Sequence, residues 1–242
     1  MTHWRLLLIL LWLVIIPTSY SQPHHPVPPQ TSKISKLSIA NVVAHTPENC
    51  AVVSLTKAYQ ALGIELEFIV LPSKRSIIAS NNGLLDGETA RIAGIEKKYP
   101  NLIPIPVAIC RMETVAVSKQ TIKFKQIEDL TQYKMGIKNG ALLHQKLFKG
   151  VEYKPFVYNK QLINAVRKKQ IDLAIMTKSK AESLINQYGY SQLTIQQPVL
   201  ATTYLYHYLN KKHQHLVQKL TSELKKLEAS GFIEQAMRNH QD

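Results

Sequence analysis

Three features of the amino-acid sequence predict an α/β protein made of two successive units. Short apolar runs alternate with amphipathic stretches in a β-α-β-α-β rhythm between Lys36 and Pro100. The rhythm restarts after Lys119 and runs to about residue 192. A long amphipathic helix then closes the chain, with Leu216, Val217, Leu220, Leu224 and Leu227 on one face.

The elements follow in order. Arg5 precedes the apolar run Leu6–Ile16, which is shorter than the roughly 18 residues that a membrane span requires. Pro17 and small or polar residues follow, with Ser19 and Ser21 placed for cleavage before Gln22, so residues 1–21 are expected to be a secretory signal peptide. Residues 22–36 are rich in proline and polar groups and predict an extended linker. KLSIANVV reads as a buried strand. Thr46 is then expected to cap a helix with Pro47 in its first turn, and Gly63 to end it. IELEFIV alternates as a strand does. Pro72 opens a second helix that stops at Gly83, and LLDGETARI reads as a short strand leading into a polar loop. NLIPIPVAI and METVAVS are extended. In the second unit KMGIK, EYKPFVY and IDLAIM are strands, while NGALLHQKLF, NKQLINAVRKKQ and KSKAESLINQYG are helices. Tyr204, Tyr206 and Tyr208 alternate along one further strand, a pattern that fits core or hinge packing.

The chain of 242 residues carries 30 Lys and Arg against 16 Asp and Glu, a formal charge of +14. The basic residues are scattered, and export argues against nucleic acid as the working partner. Cys50 and Cys110 lie in a chain expected to meet an oxidising compartment, where they can bridge, or else remain as two buried thiols. No metal site or cofactor is expected, because no third ligand accompanies His24 and His25. The sequence also lacks HExxH, GxSxG and GxxxxGK[ST], so no hydrolase or nucleotide-binding chemistry is indicated.

Four stretches resemble, in order and spacing, the family 3 extracellular solute-binding proteins, receptor subunits of amino-acid-type ABC importers. They are LPSKRSIIASNNGLLDGETARIAGIEKKYPNLIPIP, YKMGIKNGA, QIDLAIM and YLYHYLNKKHQHLVQKLTSELKKLEASG, and the resemblance covers most of Leu37–Ser230. It implies a periplasmic, two-lobe fold of type II, each lobe a mixed sheet flanked by helices, with two crossover strands. Lobe one is expected at 37–117 plus 200–242 and lobe two at 118–199. A small molecule would sit between the lobes of a monomer, which would serve an inner-membrane permease or a signalling partner. A few family members are dehydratases.

Ligands of open α/β sheets lie beyond the carboxyl ends of the strands. Arg91 is therefore expected to hold a carboxylate with its planar fork, with Glu88 and Thr89 taking ligand donors and Arg75 nearby. The alternative for Arg91 is a salt bridge with Asp86 or Glu88. Asn139, Gly140 and Ala141 open a helix whose free amides suit an anion, and Thr46 adds a hydroxyl from the first corner. Where amino-acid receptors of the family carry an acid for the ligand's ammonium, this chain has Thr177 followed by Lys178. A neutral hydroxyl leaves that clamp without its charge. Asp172 is expected to be structural.

Overall fold

The computed structural model describes residues 34–42 and 49–239. The expected signal peptide, most of the linker and Thr46 lie outside the described residues. The first half contains β1 (Lys36–Asn41), α1 (Cys50–Ala61), β2 (Glu65–Val70), α2 (Ser73–Asn81) and β3 (Gly87–Ile92). The strand β4 (Leu102–Ser118) leads into β5 (Met135–Lys138), α3 (Leu142–Leu147), β6 (Lys154–Phe156), α4 (Asn159–Arg167), β7 (Leu173–Thr177), α5 (Lys178–Tyr188) and β8 (Thr194–Ile195). The chain returns along β9 (Ala201–Asn210) to α6 (Val217–Ala229) and α7 (Phe232–Asn239).

The strands follow the order β2-β1-β3-β9-β4-β7-β5-β6, with β8 on β4. β1 runs parallel to β2 and β3, and β5 runs parallel to β6 and β7. β9 is antiparallel to both β3 and β4, and β4 is antiparallel to β7. The result is a mixed α/β fold in which two crossover strands join two parallel-stranded halves.

Each half has its own apolar core. In the first, Leu37 and Ile39 of β1 and Ile105 and Ile109 of β4 meet Leu55 and Tyr59 of α1 and Leu220 and Leu224 of α6. A smaller cluster of Ile77, Leu102 and Tyr208 fills the opposite face. In the second half, β4 shows the strand period directly. Val115 and Val117 pack with Leu162, Ile163 and Val166 of α4, while Ala116 packs the other way with Ile137, Phe148 and Ile175. The lobe boundary expected at 117 thus falls inside β4, whose last residues pack in the second half. Each fully buried leucine or isoleucine contributes about 1.5–3 kcal/mol.

Asn49 caps the described start of α1, its side chain accepting from the amides of Ala51 and Val52. Local chemistry departs from the sequence expectation at β3. GETARI is a strand, not a loop. Gly87 is required there because a Cβ would collide with the Tyr208 carbonyl oxygen on β9. Cys50 and Cys110 form a disulfide, with Cα atoms 5.6 Å apart, which ties the first turn of α1 to β4. Closing a loop of 60 residues stabilises the fold by about 4 kcal/mol in the chain-entropy account.

Candidate functional site

The base of β3 gathers three of the polar residues expected to touch a ligand, Glu88, Thr89 and Arg91, and turns them inward. Glu88 is fully buried. Its carboxylate accepts from Ser76 Oγ at 2.9 Å, from Ser80 Oγ at 2.8 Å and from Arg91 Nε at 2.7 Å, and Arg91 Nη2 lies 2.6 Å away. A buried carboxylate survives only with such compensation. The guanidinium of Arg91 also donates from Nη1 to Ser73 Oγ and from Nη2 to the Ser73 carbonyl and Ser76 Oγ. Thr89 is buried and donates to the Ala40 carbonyl on β1 at 2.7 Å. The polar side-chain atoms of Glu88 and Thr89 are thus engaged within the scaffold. The ion-pair alternative for Arg91 is the arrangement adopted, with Glu88 as its partner. Arg75 is exposed on α2.

Two further polar groups lock the same region. Asp86 accepts from the Ser38 amide and from Lys212 and His213, the last two at 2.7 Å. Burial raises its proton affinity, but these three bonds outweigh that and hold its carboxyl below the ordinary range. His207 is buried between Tyr59 and the Glu88 carbonyl. A carbonyl can only accept, so Nδ1 carries the proton and Nε2 accepts from the Tyr59 hydroxyl. Burial lowers the His207 pKa to about 4 despite bonds to the backbone of Glu88 and Thr89.

In the second half, the turn between β5 and α3 is open. Asn139 and Gly140 are exposed and Ala141 half-buried. Two of the three amides expected to bind an anion are already used: Asn139 N–H donates to the Phe156 carbonyl and Ala141 N–H to the Lys138 carbonyl. Gly140 supplies the left-handed residue, with φ of 77°, that this turn requires. Thr177 ends β7 opposite Thr114 and caps α5 without a side-chain bond. Asp172 accepts from the Lys134 amide at 2.9 Å, a structural role.

Sequence reading missed a chain of ion pairs across the crossover. Lys178 lies 3.2 Å from Glu113, Arg111 3.4 Å from Glu113 and 3.1 Å from Glu234, and Arg238 3.4 Å from Glu234. Arg111, Glu113, Lys178 and Arg238, with Ser183 and Asn186 of α5 and Met237 of α7, line a cavity of about 670 Å³ beside β4. The alternation in CRMET signalled that Arg111 and Glu113 share a face, but nothing in the sequence named their partners. Among the described residues no group of three or more His, Cys, Asp or Glu side chains could hold a metal ion.

No family model matches the chain. An uncharacterized protein of Shewanella oneidensis is 26% identical over 188 residues, covering 74% of this chain and 71% of that one. Among solved structures, a histidine kinase sensor domain with similarity to periplasmic binding proteins matches at a TM-score of 0.65 and 13% identity, covering 84% of this chain and 95% of the other. An ancestral cationic amino acid solute-binding protein matches at 0.65 and 16%, covering 86% and 96%. An ancestral arginine-binding protein bound to arginine matches at 0.62 and 16%, covering 85% and 98%. At these identities the likeness concerns architecture, and on that ground the chain has the two-lobe fold of periplasmic solute-binding proteins.

Proposed function

We propose that this is an exported solute-binding protein that captures a small, carboxylate-bearing, amino-acid-like solute between its two halves, acting by binding and not by catalysis. One observation carries the reading. Two halves with separate cores are joined by β4 and β9, in a fold whose solved relatives include arginine-binding proteins over more than four-fifths of the chain. Such a connection suits hinge closure on a ligand. The apolar run after Arg5 supports export to the periplasm, and delivery to an inner-membrane ABC permease is the role that follows.

A second reading is favoured by the likeness to the histidine kinase sensor domain. In it the same closure reports the solute to a signalling partner. Both readings share one test. Small-angle X-ray scattering of the purified chain is recorded with and without amino acids, small carboxylates and phosphonates. A solute that lowers the radius of gyration supports capture, and a chain whose dimensions never change across the panel contradicts it.

A further inference from the structure

Eight large apolar side chains are exposed among the described residues, and five of them fall in one kind of place. Val42 follows β1, and Val70 ends β2. Leu142 opens α3 just after β5, and Val157 and Tyr158 lie between β6 and α4. These are the carboxyl ends of parallel strands, where ligands of α/β sheets bind. A sixth, Tyr204, lies on β9 opposite Arg111 in the crossover. Exposure reaches 53% for Val70, 75% for Leu142 and 63% for Tyr158, far from the interior these residue types prefer. The two groups mirror one another: β2 and β1 end the strand order in one half, β5 and β6 in the other.

Residues 70–73, 92–94, 139–143 and 157–159 carry no Asp, Glu, Lys or Arg themselves, with Lys74, Arg91, Lys138 and Lys160 flanking them. The polar grip is withdrawn nearby, because Arg91 is engaged by Glu88, the Asn139 and Ala141 amides are bonded internally, and Thr177 is neutral. Exposed branched and aromatic side chains at these strand ends complement an apolar surface.

We propose that the crevice takes a solute with an apolar body, aromatic or branched aliphatic, held by Val42 and Val70 from one half and by Leu142, Val157 and Tyr158 from the other. The proposal rests on the binding reading above and adds the class of solute. It separates this chain from its arginine-binding structural neighbours, whose ligand carries a cation that residues 70–73, 92–94, 139–143 and 157–159 have no acid to meet.

The test is a calorimetric titration of the purified chain with L-phenylalanine, L-leucine and 3-phenylpropionate against L-arginine and L-glutamate. The expected result is binding of at least one apolar-bodied solute about tenfold or more tighter than either charged one. The double variant Leu142→Ser, Tyr158→Ser is expected to weaken that binding about tenfold or more with unchanged thermal stability, since both side chains are exposed. Preference for arginine or glutamate, or undiminished binding by the variant, overturns the apolar-body proposal and leaves the binding reading standing. A concentration-dependent dimer abolished by the variant also overturns it, assigning the patches to a second copy of the chain. Absence of binding by all five solutes, together with unchanged scattering across the wider panel, overturns both.

Discussion

The base of β3 and the turn after β5 lie in different halves of the molecule, and they use polar groups in opposite ways. At β3, Glu88, Thr89 and Arg91 are drawn into the interior, each with protein partners. After β5, Asn139 and Gly140 stand in solvent, and Leu142 beside them is 75% exposed. The first region holds the sheet together, and the second is free to meet something else. A motif rich in acids and arginine is therefore not by itself a binding motif. Its meaning depends on whether the strand beneath it ends before the motif or runs through it.

The largest expected effect breaks the first region. Replacing Glu88 by Ala strands Arg91 among Ser73 and Ser76, and replacing Arg91 by Ala leaves a buried carboxylate facing two serine hydroxyls. Each substitution is expected to cost about 3–5 kcal/mol, the range for breaking a buried pair. Urea unfolding by circular dichroism measures it. A loss under about 1 kcal/mol for Arg91→Ala would mean that the guanidinium is held for a ligand and not for the strand.

A smaller effect comes from pH. The unfolded chain titrates His207 near 6.5, whereas the folded chain holds it at about 4. Between those values the unfolded state binds more protons, so stability is full above pH 6.5 and falls as pH drops through 4, by up to about 3 kcal/mol. Asp86, whose folded value is also depressed, adds its own loss in more acidic solution. His207→Gln keeps a donor for the Glu88 carbonyl and an acceptor for Tyr59. It is expected to reduce the difference in melting temperature between pH 7.5 and 4.5, and an unchanged difference contradicts the assignment.

The smallest effect sharpens the contrast from the other side. Asn139→Ala removes an exposed side chain whose backbone amide keeps its bond to Phe156, so stability should move by no more than about 0.5 kcal/mol. A loss comparable to that of Arg91→Ala would show the two regions to be alike.

The order of strands and helices was legible because period two and period 3.6 are local signals. The apolar run after Asp172 and the run of leucines in α6 located their elements without tertiary information. The candidate site was legible only in part, for reasons visible at single residues. In LLDGETAR the apolar residues precede the polar ones, so local pattern puts the strand on Leu84 and Leu85, whereas β3 starts at Gly87. What places it there is β9, pairing Gly87 with Leu209 and Arg91 with Tyr206 from more than a hundred residues away. Long separation along the chain also hides the Glu113–Lys178 and Arg111–Glu234 pairs. The cap expected at Thr46 lies outside the described residues, and Asn49 caps the described start of α1.

Hinge closure on a solute is the claim on which the functional account stands, and scattering from the purified chain tests it most directly. The account expects at least one amino acid or small carboxylate to contract the particle, with 3-phenylpropionate or L-phenylalanine acting at lower concentration than L-arginine. Identical scattering curves with every solute at saturating concentration would contradict it.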